Sequence, residues 1–234
     1  MGKDIFTFKQ FTVHQDRCAM KVGTDGVLLG AWAEGGMRIL DVGTGTGLIA
    51  LMMAQRFAES RVVGVEIDVD ACLQAQQNVT ESPFVSRVEI INACLQDYLP
   101  GIRFDSIVSN PPFFVNSLRN PDKQRSVARH TSTLPYADLF RSVKILLAET
   151  GVFSAIIPFD NSGEFISEGY IAGLYLYRKI AVKTVASKPV KRFLLAFGKQ
   201  PKDILETESV CLYCNDGMPS EWYGQLTKQF YLDK

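Results

Sequence analysis

Arg38-Ile-Leu-Asp-Val-Gly-Thr-Gly-Thr-Gly47, followed by Arg61-Val-Val-Gly-Val-Glu-Ile67, is the stretch that decides the fold. Arg38–Val42 reads as a buried strand, Gly43–Gly47 as a glycine loop, Leu48–Phe57 as a helix and Arg61–Ile67 as a second strand. The pattern then repeats. Asp70–Val79 is a helical run, Val88–Asn92 a third strand, Asp105–Ser109 a fourth, Tyr136–Leu147 a helix and Gly151–Ile157 a fifth strand. Tyr175–Val185, Phe193–Phe197 and Val210–Cys214 follow as further strands, the last at an edge. Alternation of this kind predicts a mostly parallel sheet with helices on both faces, of the Rossmann-like α/β class. Ligands of such sheets sit at the carboxyl ends of the strands, near the point where the strand order reverses.

The surrounding sequence sets limits. The 234 residues are expected to form one domain: an N-terminal extension over 1–37, a core over 38–202 and a C-terminal tail over 203–234. Phe6, Phe8, Phe11 and Val13 are spaced mostly by two, which predicts a short hairpin at the start. Apolar residues make up 47% and charged residues 21%, a globular mix that excludes wholesale disorder. The longest unbroken apolar run, Leu48–Ala54, is far shorter than a membrane span. The first residues hold no secretory apolar stretch, so a soluble, cytoplasmic protein is expected. Five cysteines are scattered through the chain, which does not suggest a disulfide framework. Cys211 and Cys214 form a C-x-x-C, but a zinc site needs two more ligands, and the histidines are His14 and His130 alone. No metal is expected.

The glycine loop favours a ligand lying against the backbone. Glycine removes the Cβ that would block approach, and a helix N-terminus offers free N–H groups. The spacing is G-x-G-x-G, with Leu48 where a dinucleotide loop would need its third glycine. Glu66 ends the second strand 19 residues after Gly47, the place for a carboxylate that accepts from ribose hydroxyls.

Asn110-Pro-Pro-Phe113 follows the fourth strand. Two prolines lack N–H groups and fix φ, so they end the strand and stiffen the loop. The Asn110 side chain and the Pro111 carbonyl are then two rigid acceptors. An NH₂ conjugated to a ring or carbonyl is a poor nucleophile, because its lone pair is delocalised. Acceptors on its two hydrogens favour pyramidal nitrogen and stabilise the positive charge that grows as it is alkylated, which is preorganised electrostatics. Phe113 supplies a face for a planar group.

Asp41–Gly47 with Glu66 resembles the class I AdoMet-dependent methyltransferases. That resemblance implies a seven-stranded sheet with an antiparallel last hairpin and S-adenosyl-L-methionine as cofactor. It places Gly43, Gly45 and Gly47 around the methionine end and Glu66 at the ribose, with Asp41 and Ile67 also in the cofactor site. The family often uses an Asp after the third strand for the adenine amino group. Cys94 stands there, so either Asp97 substitutes or backbone groups make the contact. Asn110–Phe113 resembles the loop of amino-methyltransferases acting on adenine N6, guanine N2 or glutamine side chains of release factors. The resemblance thus implies catalytic roles for Asn110, Pro111, Pro112 and Phe113, with Asn110 also touching the cofactor.

The flanks narrow the substrate. Phe6–Phe11, Asp16–Trp32, Arg129–Leu134 and Gln229–Leu232 resemble the bacterial tRNA1(Val) adenine-N6 methyltransferases, and the likeness covers nearly the whole chain. It implies methylation of the adenosine beside the anticodon, a tRNA anticodon loop as partner, and a Gly23-Thr24-Asp25 turn that helps close the cofactor pocket. Residues 16–32 also read as a capped amphipathic helix with Trp32 in the core. Rival readings are a release-factor glutamine methyltransferase, a ribosomal RNA guanine-N2 methyltransferase, and an RNA-binding protein that keeps the fold without the chemistry. Nothing in the sequence sets the oligomeric state, and a monomer is the expectation.

Charge agrees with an RNA partner. Lys plus Arg equals Asp plus Glu at 25 each, yet Arg178–Lys202 carries eight basic residues and no acid. Lys188, Lys191 and Arg192 within it, with Arg119, Arg125 and Arg129 after the catalytic loop, are the candidate phosphate contacts. His130 is a further candidate for stacking or phosphate contact.

Overall fold

The computed structural model describes residues 4–18, 20–112 and 134–232. Phe113, Arg119, Arg125, Arg129 and His130 therefore lie outside the described residues. In chain order the elements are β1 (Ile5–Thr7), β2 (Thr12–His14), α1 (Thr24–Trp32), β3 (Arg38–Val42), α2 (Leu48–Arg56), β4 (Arg61–Glu66), α3 (Val69–Thr80), β5 (Val88–Asn92) and β6 (Phe104–Ser109). After them come α4 (Tyr136–Leu146), β7 (Leu147–Pro158), α5 (Ser162–Ile171), β8 (Tyr175–Lys183), β9 (Val190–Gly198), β10 (Glu206–Cys211) and α6 (Glu221–Thr227).

The main sheet has the order β10-β8-β9-β7-β6-β3-β4-β5, and β9 runs against both of its neighbours. The remaining pairs are parallel. From β3 the chain moves outward to β4 and β5, then returns to β6 on the other side of β3, so the order reverses beside β3. The crevice rule puts a ligand there, at the carboxyl ends of β3, β4 and β6.

The sheet matches the expected class with one strand more than seven. The additional strand, β10, pairs parallel with β8 at the edge and starts at Glu206 instead of Val210. Its polar Glu-Thr-Glu-Ser start is exposed, and such a strand leaves no apolar signature. An ion pair from Arg178 to Glu206, at 3.6 Å, spans the two strands. α5 was not legible either: its sequence, SGEFISEGYI, has two glycines and no clear stripe.

The predicted hairpin is β1 with β2, paired antiparallel with Phe6 opposite Val13. Phe8 and Phe11 stack at 4.8 Å in its turn and are buried with Val13 in the cluster that holds α1, α2 and Phe230. The Lys9 N–H donates to the Phe230 carbonyl at 2.8 Å, so the two ends of the chain meet. α1 is shorter than expected and not amphipathic, since every residue from Gly26 to Trp32 is buried. It is wedged between α2, α6 and β7, which leaves it no solvent face. No helix among the described residues is long and apolar enough to cross a membrane.

Candidate active site

A cleft of about 500 Å³ opens at the carboxyl ends of β3, β4, β5 and β6. Its walls are the glycine loop after β3, Glu66–Asp68 after β4, Cys94–Gln96 after β5 and Ser109–Pro112 after β6. Arg17, Cys18 and Met20 of the segment before α1 form a fifth side.

The glycine loop is built by hydrogen bonds that leave its outer side bare. Gly43 and Gly45 adopt φ of 68° and 56°, where a side chain would be strained. A Cβ on Gly43 would meet nothing within 4 Å, and one on Gly45 only the Cys18 sulfur at 3.8 Å. The space over both is thus open to a ligand. The N–H groups of Gly43 and Thr44 donate to the Val65 carbonyl at 2.9 and 3.2 Å, and the Gly45 N–H donates to Glu66 Oε2 at 2.9 Å. Glu66 Oε1 accepts from the Asp68 N–H at 3.0 Å. Glu66 is half-buried, so each oxygen is held by one backbone donor and retains accepting capacity toward the cleft.

Asp41 works from behind the loop. It is fully buried, and its Oδ2 accepts from Thr44 Oγ1 at 2.6 Å and from the Ala50 N–H at 3.1 Å. Its Oδ1 has no partner among the described residues. Burial outweighs these bonds and pushes its carboxyl up from 3.8 to about 7. A raised acid favours the neutral folded form. Its stabilising contribution is complete below about pH 4 and is lost as pH rises through about 7. Asp41→Asn should therefore flatten the pH dependence of the melting temperature across that window, measured by thermal melts of the protein alone.

The expected cofactor residues divide into three groups. Gly43, Gly45, Glu66, Ile67, Cys94 and Asn110 line the cleft. Asp41 and Gly47 shape the loop from behind, Gly47 with φ of 81° at the start of α2 and its α-carbon side against Ala75. Thr24 and Asp25 do not line it. Arg17, Cys18 and Met20 line that side of the cleft instead, and Asp25 is engaged with Arg192 as an ion pair. Asp97 is exposed and also outside the lining. Cys94 and Gln96 stand at that end, with the Cys94 thiol donating to Gln96 Oε1 at 2.7 Å.

At the opposite wall Ser109 Oγ donates to the Val42 carbonyl at 3.0 Å and ties β6 to β3. Asn110 and Pro111 follow, with Pro111 buried and Pro112 exposed. Asn110 Oδ1 is buried and has no partner among the described residues. A buried acceptor without a donor costs about 1–3 kcal/mol, so this oxygen is suited to a donor that arrives with a ligand.

Two buried amides, not singled out in the sequence, hold the segment before α1 in place. Asn78 on α3 is fully buried. Its Oδ1 accepts from the His14 N–H at 2.8 Å, and its Nδ2 donates to the carbonyls of His14 and Thr46, each at 2.9 Å. One side chain thus joins the segment before α1 to the glycine loop. Gln74, one turn earlier and also fully buried, accepts from the Arg17 N–H at 2.9 Å. The available signal was polar residues in the inner stripe Ala71, Gln74, Ala75, Asn78 and Val79 of an otherwise ordinary amphipathic helix.

The basic run 178–202 does not form one face. Lys199 is bound to Glu149 at 2.8 Å, and Lys202 Nζ lies 3.6 Å from the Tyr177 ring centre, both toward the end of the sheet away from the cleft. Arg192 is half-buried against Asp25, so it is not a free phosphate contact. Lys188 and Lys191 are exposed in and beside the β8–β9 turn. The pairings Lys183 to Val190 and Pro158 to Arg192 put that turn at the cleft end of the sheet.

The chain is similar to known proteins along its whole length. The family model for the methyltransferase small domain matches residues 22–131. The tRNA1(Val) (adenine(37)-N6)-methyltransferase of Phocaeicola vulgatus is 47% identical over 235 residues, covering 100% of each chain. That of Trichodesmium erythraeum is 44% identical over 99% of each chain. Among solved structures, a predicted O-methyltransferase of Agrobacterium tumefaciens superposes with a TM-score of 0.68 at 17% identity, over 88% of this chain and 96% of that one, a likeness of fold. With identity this high from end to end, the chain belongs to the tRNA1(Val) (adenine(37)-N6)-methyltransferase family.

Proposed function

We propose that this protein methylates N6 of the adenosine at position 37 of tRNA1(Val), the activity named for its relatives, with S-adenosyl-L-methionine as donor. The observation that carries the chemistry is the buried Oδ1 of Asn110 at the wall of the cleft, which has no partner among the described residues.

The residues suit the cofactor. Open space over Gly43 and Gly45 admits a ligand against the loop backbone, Glu66 offers accepting oxygens for ribose hydroxyls, and Ile67 with Leu95 gives apolar sides for a purine. Cys94 and Gln96 would take the purine edge. Arg17 is the cation among the described lining residues and would meet the carboxylate of the amino-acid end. When bound, S-adenosylmethionine supplies a methyl group activated by a sulfonium.

Asn110 and Pro111 do the chain's share of the reaction. Asn110 Oδ1 and the Pro111 carbonyl accept from the two hydrogens of the adenine amine. That holds the nitrogen in place, favours its pyramidal form and stabilises the charge it acquires. The two acceptors are fixed before the substrate arrives, since Ser109 anchors the strand end and the prolines stiffen the loop. Phe113, beyond the described residues, would stack the base. An unpaired loop adenine costs less to bring in than a paired one, where extrusion takes a few kcal/mol.

Glu66→Ala should weaken S-adenosylmethionine binding by about 1–3 kcal/mol, read by calorimetry, because it removes the ribose acceptor and the partner of the Gly45 N–H. The substrate is tested with labelled cofactor offered to bulk tRNA, ribosomal RNA and a release factor side by side. Label in N6-methyladenosine from tRNA supports the proposal. Label in N2-methylguanosine or on glutamine transfers the function to a sister activity.

A further inference from the structure

The sheet edge beside the cleft carries an exposed aromatic among lysines. β6 and β7 pair with Ser109 opposite Ala155, and β7 continues through Ile156, Ile157 and Pro158. Phe159 comes next, at the head of a short 3₁₀ turn, Phe159–Asn161. Asn110 and Pro111 leave the neighbouring strand at the same edge. Phe159 is 51% exposed, yet its ring is ordered by stacking on buried Phe193, with centroids 5.8 Å apart and planes 30° apart. Lys179 Nζ lies 4.1 Å from the centre of the Phe193 ring. Lys183, Lys188 and Lys191 belong to the strand end and turn at this edge, while Asp160 is the acid that follows Phe159. Arg192 adds no free charge, being paired with Asp25.

A half-exposed phenylalanine gains little from burial and costs solubility, so a site that keeps one, braced from behind and flanked by cations, is suited to a planar anionic partner. Aromatic faces with lysines beside them bind unpaired nucleotides by stacking and phosphate attraction. We propose that Phe159 is a stacking platform for an unpaired nucleotide of the RNA substrate, near the base delivered to Asn110, with Lys188 and Lys191 meeting adjoining phosphates. This rests on the RNA reading given above and adds the surface that grips the loop. Adjacent strands lie about 4.8 Å apart, and Phe159 is three residues further past the Ser109–Ala155 pair than Asn110, about 10 Å along the strand direction, so both bases fit within one loop.

The two parts of this surface separate by salt. Stacking adds affinity at every ionic strength, whereas each phosphate contact adds about 0.7 to the slope of log affinity against log salt for single strands. The experiment is fluorescence anisotropy of a labelled tRNA anticodon stem–loop, titrated with the full chain over a salt series. Phe159→Ala should bind about tenfold more weakly at each salt with the wild-type slope. Lys188→Gln with Lys191→Gln should lower the slope by about 1.4. Phe159→Trp should keep affinity, and its indole emission should be quenched by the RNA. Wild-type affinity in Phe159→Ala, a changed slope in that variant, or an unquenched Phe159→Trp would each overturn the platform and leave the methylation reading standing. A wild-type protein that binds no stem–loop overturns both. Cofactor binding by Phe159→Ala should match wild type, which checks that the variant is folded.

Discussion

Asn110→Ala is expected to slow methyl transfer by roughly 10²–10³-fold, about 3–4 kcal/mol, the usual cost of deleting one preorganised polar contact to a developing charge. The residue is half-buried, and its Oδ1 has no partner among the described residues, so its removal breaks no hydrogen bond of the fold involving that atom. Thermal stability should accordingly hold or rise slightly, since a buried unpaired acceptor is lost. RNA affinity should barely change, because base stacking and phosphate contacts remain. Single-turnover kinetics at saturating RNA and cofactor separate these effects. A rate within a few-fold of wild type would mean that Asn110 does not hold the reacting amine.

Asn78→Leu is expected to damage both the fold and the cofactor site. The change strands the His14 N–H and the carbonyls of His14 and Thr46 in a buried setting. At about 1–3 kcal/mol for each unsatisfied group, with partial relaxation, a loss of the order of 3–5 kcal/mol is expected in denaturant unfolding. The same change frees Thr46 in the glycine loop and the segment carrying Arg17 and Cys18, so S-adenosylmethionine should bind at least tenfold more weakly. Asn78→Asp keeps the acceptor for the His14 N–H but turns an oxygen on the carbonyls of both His14 and Thr46, so it should weaken the fold and the cofactor site together, as Asn78→Leu does. Equal, small effects from both variants would leave Asn78 an ordinary buried amide.

The core of the fold was legible because its signals are local. Arg38–Val42 is an almost continuously buried run and Val88–Asn92 a partly buried one, each bounded by turn residues, and both strands have the expected limits. The glycine loop and Glu66 could be read from spacing, since a tight turn and a strand-end acid each occupy a fixed place in a strand–loop–helix unit. β10 was legible only at its apolar end, Val210 and Cys211, because parallel pairing to β8 at an edge asks little of the water-facing side chains at its start. The basic run misled for a related reason. Strand pairing sends Lys199 and Lys202 to one end of the sheet and Lys188 and Lys191 to the other, and linear order carries no trace of that. Thr24 and Asp25 stand outside the cleft lining, and the pairing of Asp25 with Arg192 joins residues too far apart in sequence to be read from it. Asn78 and Gln74 had a signal, amides on an apolar stripe, but their partners lie 64 and 57 residues away.

The most direct test of the account is nucleoside analysis of tRNA from cells lacking this gene, with the wild-type chain or Asn110→Ala returned on a plasmid. N6-methyladenosine at position 37 of tRNA1(Val) should be absent in the deletion strain, restored by the wild type and not by Asn110→Ala. An unchanged N6-methyladenosine content at that position in the deletion strain, with a methyl group missing from another RNA base or from a release factor, would contradict it.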